Sequence, residues 1–150
     1  MENNEKISEI LNTHDLISLA TVNKAGKPKV RSIDFVMGDD LSTLYFFTSK
    51  ATDKVGELRE NKNVHITVDH PCASMEELLK LQYLKAEGIA ELIETPEGIQ
   101  EIFGRIIQKF PYLSNMPGDP SDYVGVKVKL NKIHLTDNTV SFGHTETISL

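Results

Sequence analysis

Much of what would mark a specialised protein is scarce in this sequence. Its 150 residues hold a single cysteine, Cys72, which leaves no partner for an internal disulfide and no Cys-rich metal site, as suits a reducing cytosol. Cys72 therefore reads as a small buried apolar residue. Positive charge is in deficit: 16 Lys and Arg against 22 Asp and Glu give a formal net charge of −6, with no overall attraction to phosphodiester backbones or anionic lipid. Neither nucleic acid nor a membrane is expected as a partner. No apolar run approaches the ~20 residues that span a bilayer, and the opening MENNEKISEILNT lacks the basic head and apolar stretch of an export signal. A cytoplasmic protein is expected.

Signatures of chemistry are sparse as well. GxGxxG and GxxxxGK[ST] are missing, which removes sequence support for a Rossmann or P-loop nucleotide site. His14, His65, His70, His134 and His144 form no HxH or HxxxH pair, so no local chelate is encoded and no metal site is expected. His65, within a strand, is expected to be packed or solvent-facing. No paired carboxylates, Ser/His/Asp order or reactive Cys environment identifies a catalytic acid, base or nucleophile.

What is present describes an ordinary globular chain, 39% hydrophobic and 25% charged, of a length for one domain over residues 1–150. Ile7, Ile10 and Leu11 predict a short amphipathic helix over 2–12. Strands follow at 15–22, 27–37 and 41–48, separated by the turn residues NKAG (Asn23–Gly26) and GDD (Gly38–Asp40). In the second strand Val30, Ser32, Asp34 and Val36 share one face, and Arg31, Ile33 and Phe35 the other. A short helix is expected after Thr48, then strands over 63–69 and 83–93, with the helical patch MEELLKL (75–81) between them. Gly88 is placed for a bulge.

Thr95 as N-cap and Pro96 in the first turn begin the clearest helix, striped by Ile99, Ile102, Phe103, Ile106, Ile107 and Phe110. A loop over 114–122 leads to a half-buried strand over 123–135, and a turn at Asp137 and Asn138 leads into Val140–Gly143 and a polar tail. Six or so strands, mostly antiparallel, with few helices, predict an α+β, mainly β, barrel.

The segment richest in chemistry is Tyr45–Lys54, YFFTSKATDK, where an aromatic strand ends and a helix begins. Thr48, Ser49 and Thr52 offer hydroxyls, the helix start offers free amides, and Lys50 and Lys54 offer positive charge, which together describe an anion site. The same residues also allow a plainer arrangement, with Thr52 capping the helix and the lysines solvated.

The stretches ISLATVNKAGKPKVRSIDFV, LYFFTSKATDKVGELRENKNVHITV and LKAEGIAELIE resemble the FMN-binding split barrels related to pyridoxamine 5′-phosphate oxidase, and the resemblance covers residues 5–135. It implies a split β-barrel with peripheral helices and flavin mononucleotide (FMN) as cofactor, where other relatives use a deazaflavin or haem. Thr48, Thr52 and Lys54 correspond to its phosphate-binding positions, with Phe47 and Ser49 beside them. Arg31 corresponds to an arginine that contacts the phosphate or the ring edge, and the backbone of Ser32, Ile33 and Asp34 would edge the isoalloxazine. The family further implies a homodimer with the cofactor at the subunit interface and an FMN-dependent oxidoreductase, while the lack of an evident catalytic acid, base or nucleophile equally suits a non-catalytic flavin-binding sensor.

The chain also departs from that pattern. Val36 stands where the oxidases carry a substrate-contacting lysine, and Asp53 where they carry an arginine. The family's ring-contacting glutamine falls nearest Tyr83, with Gln82 one position away on the opposite strand face. The tail SFGHTETISL lacks their basic ending and resembles that of general-stress and uncharacterised members. Vitamin B6 phosphates are therefore disfavoured as substrates, and the general flavin site is retained.

Overall fold

The computed structural model describes residues 2–150. In chain order it runs α1 (Asn3–Thr13), β1 (Leu16–Val22), β2 (Pro28–Asp34), β3 (Val36–Met37), β4 (Thr43–Ser49), α2 (Asp53–Glu60), β5 (Asn63–Val68) and α3 (Met75–Lys80). It continues with β6 (Gln82–Ile93), α4 (Pro96–Lys109), two 3-10 turns (Pro111–Asn115 and Pro120–Asp122), β7 (Tyr123–Asp137) and β8 (Thr145–Ser149). Every strand pairing is antiparallel.

The strands form one sheet in the order β2-β1-β5-β6-β7-β4-β3, with β8 added on β7. The two ends of that order, β2 and β3, are consecutive in sequence and joined through Phe35. The chain therefore crosses from one sheet edge to the other within a residue, and the sheet has to curl round its core for that to happen. At this seam the backbone leaves the ladder: Phe35 N–H donates to the Asp15 carbonyl at 3.4 Å, and the Phe35 carbonyl accepts from Lys109 Nζ at 2.9 Å. The alternation over 27–37 predicts one strand. A break at a fully buried Phe35 divides it, because the barrel is split there.

Local chemistry explains the elements on either side. In the β1–β2 hairpin Asn23 Oδ1 accepts from the amides of Ala25 and Lys27 at 3.0 and 2.9 Å, and Gly26 takes φ +78°, a left-handed conformation that costs glycine little. The long β6–β7 ladder shifts register between Glu87 and Gly88. A Cβ at Gly88 would lie 2.9 Å from Val128 Cγ1 and 3.0 Å from the Lys129 carbonyl, so the close approach of the two backbones at the bulge requires glycine.

Residues such as Leu19, Phe35, Phe46, Ile66, Leu84 and Val128 fill the barrel, closed on one side by Ile7, Ile10 and Leu11 of α1. On the outside, the α4 stripe of Ile102, Ile106 and Phe110 covers Val36, Tyr45 and Phe47. Thr95 Oγ1 caps that helix by accepting from Gly98 N–H at 3.2 Å.

Two expectations are corrected. The polar tail, read without an element of its own, contains β8, paired with β7 from Thr136↔Thr145 to Lys132↔Ser149. Its mostly exposed TETIS sequence carries no apolar period to announce it. Cys72 is exposed rather than buried, because it lies in the loop between β5 and α3, outside the barrel wall. Among the described residues no helix is long and apolar enough to cross a membrane.

Candidate functional site

Strand alternation sets which side chains can meet. Along β4, Leu44, Phe46 and Thr48 are buried, while Tyr45, Phe47 and Ser49 are half-buried on the other face. Thr48 is thus the last inward residue before the chain turns into α2. In that turn Thr52 Oγ1 donates to the Ser49 carbonyl at 2.9 Å and lies 3.4 Å from Thr48 Oγ1. Thr52 occupies the N-cap position of α2 without capping it through its side chain. Lys54, in the first turn of the helix, reaches back so that Nζ donates to Thr48 Oγ1 at 2.8 Å.

A second cation arrives from β2. Arg31 lies in phase with the core residue Ile33, so its guanidinium turns towards the barrel end. There Nη1 donates to Thr21 Oγ1 at 2.7 Å and Nη2 to Glu57 Oε1 at 2.8 Å. Glu57 stands one turn after Lys54 on the same helical face, with its side chain 8% exposed. Thr21 Oγ1 lies 3.3 Å from the same Oε1, and Glu57 Oε2 is buried with no hydrogen-bond partner among the described residues. Elements β1, β2, β4 and α2 thereby gather two cations, three hydroxyls and one carboxylate.

The charge balance leaves this cluster positive. Burial lowers the Lys54 pKa from its ordinary value, repulsion from Arg31 lowers it further, and Glu57 pulls in the opposite direction. An ammonium held in that state is stabilised by an anion placed beside it. The donor set of guanidinium, ammonium and threonine hydroxyls suits phosphate oxygens, which accept several charge-assisted hydrogen bonds at once.

The remaining candidate residues are arranged differently. Ser32 is exposed, Ile33 belongs to the core and Asp34 is half-buried. The Asp34 pKa is raised by burial and by the neighbouring Asp15, against the pull of Lys109. As β2 ends the sheet order, its outer edge has no partner strand among the described residues and presents backbone donors and acceptors there. Phe47 and Ser49 stand on the opposite face of β4 from Thr48. Phe47 stacks on Tyr123 with centroids 5.4 Å apart at 12°, and it lines a cleft of about 690 Å³ with Phe103, Ile99, Met116 and Lys50.

Thr21 and Glu57 are the site residues that sequence reading missed. Both carried a signal: Thr21 is a polar residue in the buried phase of Ile17 and Leu19 on β1. Glu57 is an acid between Val55 and Leu58 on the inward side of α2. Elsewhere His14 Nε2 meets His70 Nδ1 at 3.3 Å, a pair invisible to local spacing because 56 residues separate them. Among the described residues no three metal-ligating side chains come together.

Residues 4–137 match the pyridoxamine 5′-phosphate oxidase family. The chain belongs to that family, in its split-barrel form. Within the family it is similar to general stress protein 26 of Bacillus subtilis, 32% identical over 106 residues that make up 71% of each chain. The solved structure of general stress protein 26 from Bacillus anthracis str. Sterne superposes with a TM-score of 0.72 at 22% identity, covering 100% of both chains. The haem-binding protein from Mycobacterium smegmatis gives a TM-score of 0.79 at 14% identity, covering 99% of this chain. This chain spans only 58% of that protein's length. At such identities the two structures speak for the split-barrel fold of the family alone.

Proposed function

We propose that this chain is an FMN-binding flavoprotein, an FMN-dependent oxidoreductase acting as a cytoplasmic homodimer. The observation that carries the reading is that Arg31, bonded to Thr21 and Glu57, and Lys54, bonded to Thr48 beside Thr52, come from different elements and stand close enough to repel one another. Arg31, Lys54, Thr48 and Thr52 would hold the phosphate. Phe47 and Ser49, facing away, would contribute through the backbone of the strand end, where the Ser49 carbonyl already orders Thr52. The flavin's pyrimidine edge alternates donors and acceptors, as the open edge of β2 at Ser32, Ile33 and Asp34 does. When bound, the flavin supplies the electron chemistry; the chain supplies placement, which agrees with the lack of an evident acid–base pair or nucleophile.

A second copy is favoured by the sheet face beside that edge. Leu16 and Val30, on the paired strands β1 and β2, are 53% and 69% exposed, apolar surface that a partner subunit would cover beside the cofactor.

The test is the visible spectrum of the purified protein with an FMN fluorescence titration and a light-scattering mass. A two-band flavin spectrum, saturable FMN binding and a dimer mass are expected. A colourless monomer that refuses FMN overturns the proposal, a Soret band points to haem, and a spectrum retained only with a deazaflavin points to that cofactor. Bound flavin that no nicotinamide donor reduces excludes a nicotinamide-dependent oxidoreductase and favours a carrier or sensor.

A further inference from the structure

Arg31, Lys54, Thr48 and Thr52 offer N–H and O–H groups to an anion, whereas an ionised Glu57 offers none. The site nevertheless buries that carboxylate: its side chain is 8% exposed, Oε1 takes Arg31 Nη2 at 2.8 Å, and Oε2 has no partner. A carboxylate oxygen removed from water without a hydrogen bond is costly. Orientation of Arg31 does not by itself account for it, since Thr21 already holds the other terminal nitrogen at 2.7 Å. The net effect of Glu57 is electrostatic. Burial and then repulsion from Arg31 lower the proton affinity of Lys54, and Glu57 opposes that loss.

We infer that Glu57 is the resident counter-ion of the anion site, engaging the Arg31 guanidinium while no phosphate is bound and competing with an incoming phosphate for it. The inference rests on reading the Arg31–Lys54 cluster as a phosphate site. With no ligand, two cations and one carboxylate leave the cluster positive. A phosphomonoester near pH 7 brings roughly −1.5 to −2, so the loaded cluster is negative unless Glu57 turns away from Arg31. Glu57 thus sets the affinity below what the donors alone would give, and in exchange stabilises the ligand-free fold.

A counter-ion and an orienting residue predict opposite results for Glu57→Gln, which keeps the shape and removes the charge. Loss of a counter-ion tightens anion binding while lowering ligand-free stability; loss of an orienting group weakens both. The experiment is calorimetric titration of inorganic phosphate into the full-length wild type, Glu57→Gln and the charge-retaining Glu57→Asp, with melting temperatures with and without phosphate and a parallel FMN fluorescence titration. Expected are a lower ligand-free Tm for Glu57→Gln, phosphate binding about tenfold tighter, and no tightening for Glu57→Asp. Unchanged or weaker phosphate binding by Glu57→Gln overturns the inference, as does tightening by Glu57→Asp. Should Glu57→Gln melt too low to titrate, a phosphate-induced rise in Tm smaller than that of the wild type overturns it equally. The FMN arm separates the two levels. Phosphate tightened by Glu57→Gln without any FMN binding keeps the counter-ion and removes FMN, FMN binding without tightening does the reverse, and a wild type that binds neither removes both.

Discussion

Lys54 Nζ lies 2.8 Å from Thr48 Oγ1, so a lysine in the first turn of α2 closes the loop back onto the last inward residue of β4. With Thr52 Oγ1 3.4 Å from the same hydroxyl, three side chains within seven residues meet at one point. Arg31 is added from β2 only because the barrel brings its two ends together. The loop makes half of the proposed phosphate site locally, and the fold makes the other half.

Removal of the local half should show directly in binding. Thr52→Ala combined with Lys54→Ala is expected to weaken FMN affinity by about 2–4 kcal/mol, since charge-assisted hydrogen bonds are worth roughly 1.5–3 each. Fluorescence titration measures this, and an unchanged dissociation constant would exclude Lys54 and Thr52 from the phosphate grip.

On the phosphate reading, Lys54 also gives the site an alkaline limit. Its pKa lies below the ordinary 10.5 because of burial and Arg31, so its share of anion binding is complete while the ammonium persists. That share is lost as pH rises through the lowered value, before a solvated lysine would titrate. In the ligand-free chain the sign is reversed: between the folded and unfolded values the unfolded chain holds more protons, and this group's contribution makes stability rise with pH. Affinity for FMN across alkaline pH should therefore fall early in the wild type and stay flatter in Lys54→Arg, whose charge does not titrate there. Identical profiles for the two proteins would place the titrating group elsewhere.

Legibility in the sequence followed the range of the interaction. The α4 stripe and the β1–β2 turn depend on neighbouring residues and could be read from them, and Gly88 announced its bulge as a glycine within a strand, although the contacts that require it lie on β7. The division of 27–37 at Phe35 depends on where the opposite sheet edge lies, which no local period records, and β8 is too exposed for burial to pattern it. Thr48 and Lys54 could be paired from loop chemistry, but the partners of Arg31 come from 10 and 26 residues away. The one long-range clue was negative, a polar residue in a buried phase at Thr21 and at Glu57. Strict alternation also separates Phe47 from Thr48, a consequence of adjacency within β4 that the motif alone conceals.

The seam beside β2 depends on Lys109. Its ammonium donates to the His14 and Phe35 carbonyls at 2.6 and 2.9 Å and stands 3.9 Å from the Phe35 ring centroid. Lys109→Met keeps the aliphatic stem and removes both bonds. It should cost about 1–3 kcal/mol, the penalty for leaving partly buried acceptors unpaired, read as a lower urea midpoint at an unchanged m-value. Wild-type stability in this variant would show that water replaces the ammonium at the seam.

At the opposite end, Lys6 of α1 is joined to Asp137 at the end of β7 by a 2.6 Å bond, with side chains 14% and 3% exposed. Burial alone would raise the Asp137 pKa, but hydrogen bonds from Lys6 and Thr139 outweigh it and hold the carboxyl well below the usual carboxylate range. For a depressed acid the stabilisation is fully present above the unfolded value, ordinarily 3.8, and disappears as pH falls through the folded one. Asp137→Asn should therefore be less stable than the wild type at neutral pH, leaving the Lys6 ammonium without its partner, and should lose less on acidification below pH 3.8. Urea midpoints compared at neutral and acid pH test both halves. Parallel acid profiles would mean that Asp137 binds its proton equally in both states, and that its bond to Lys6 adds nothing to the tie between α1 and the barrel.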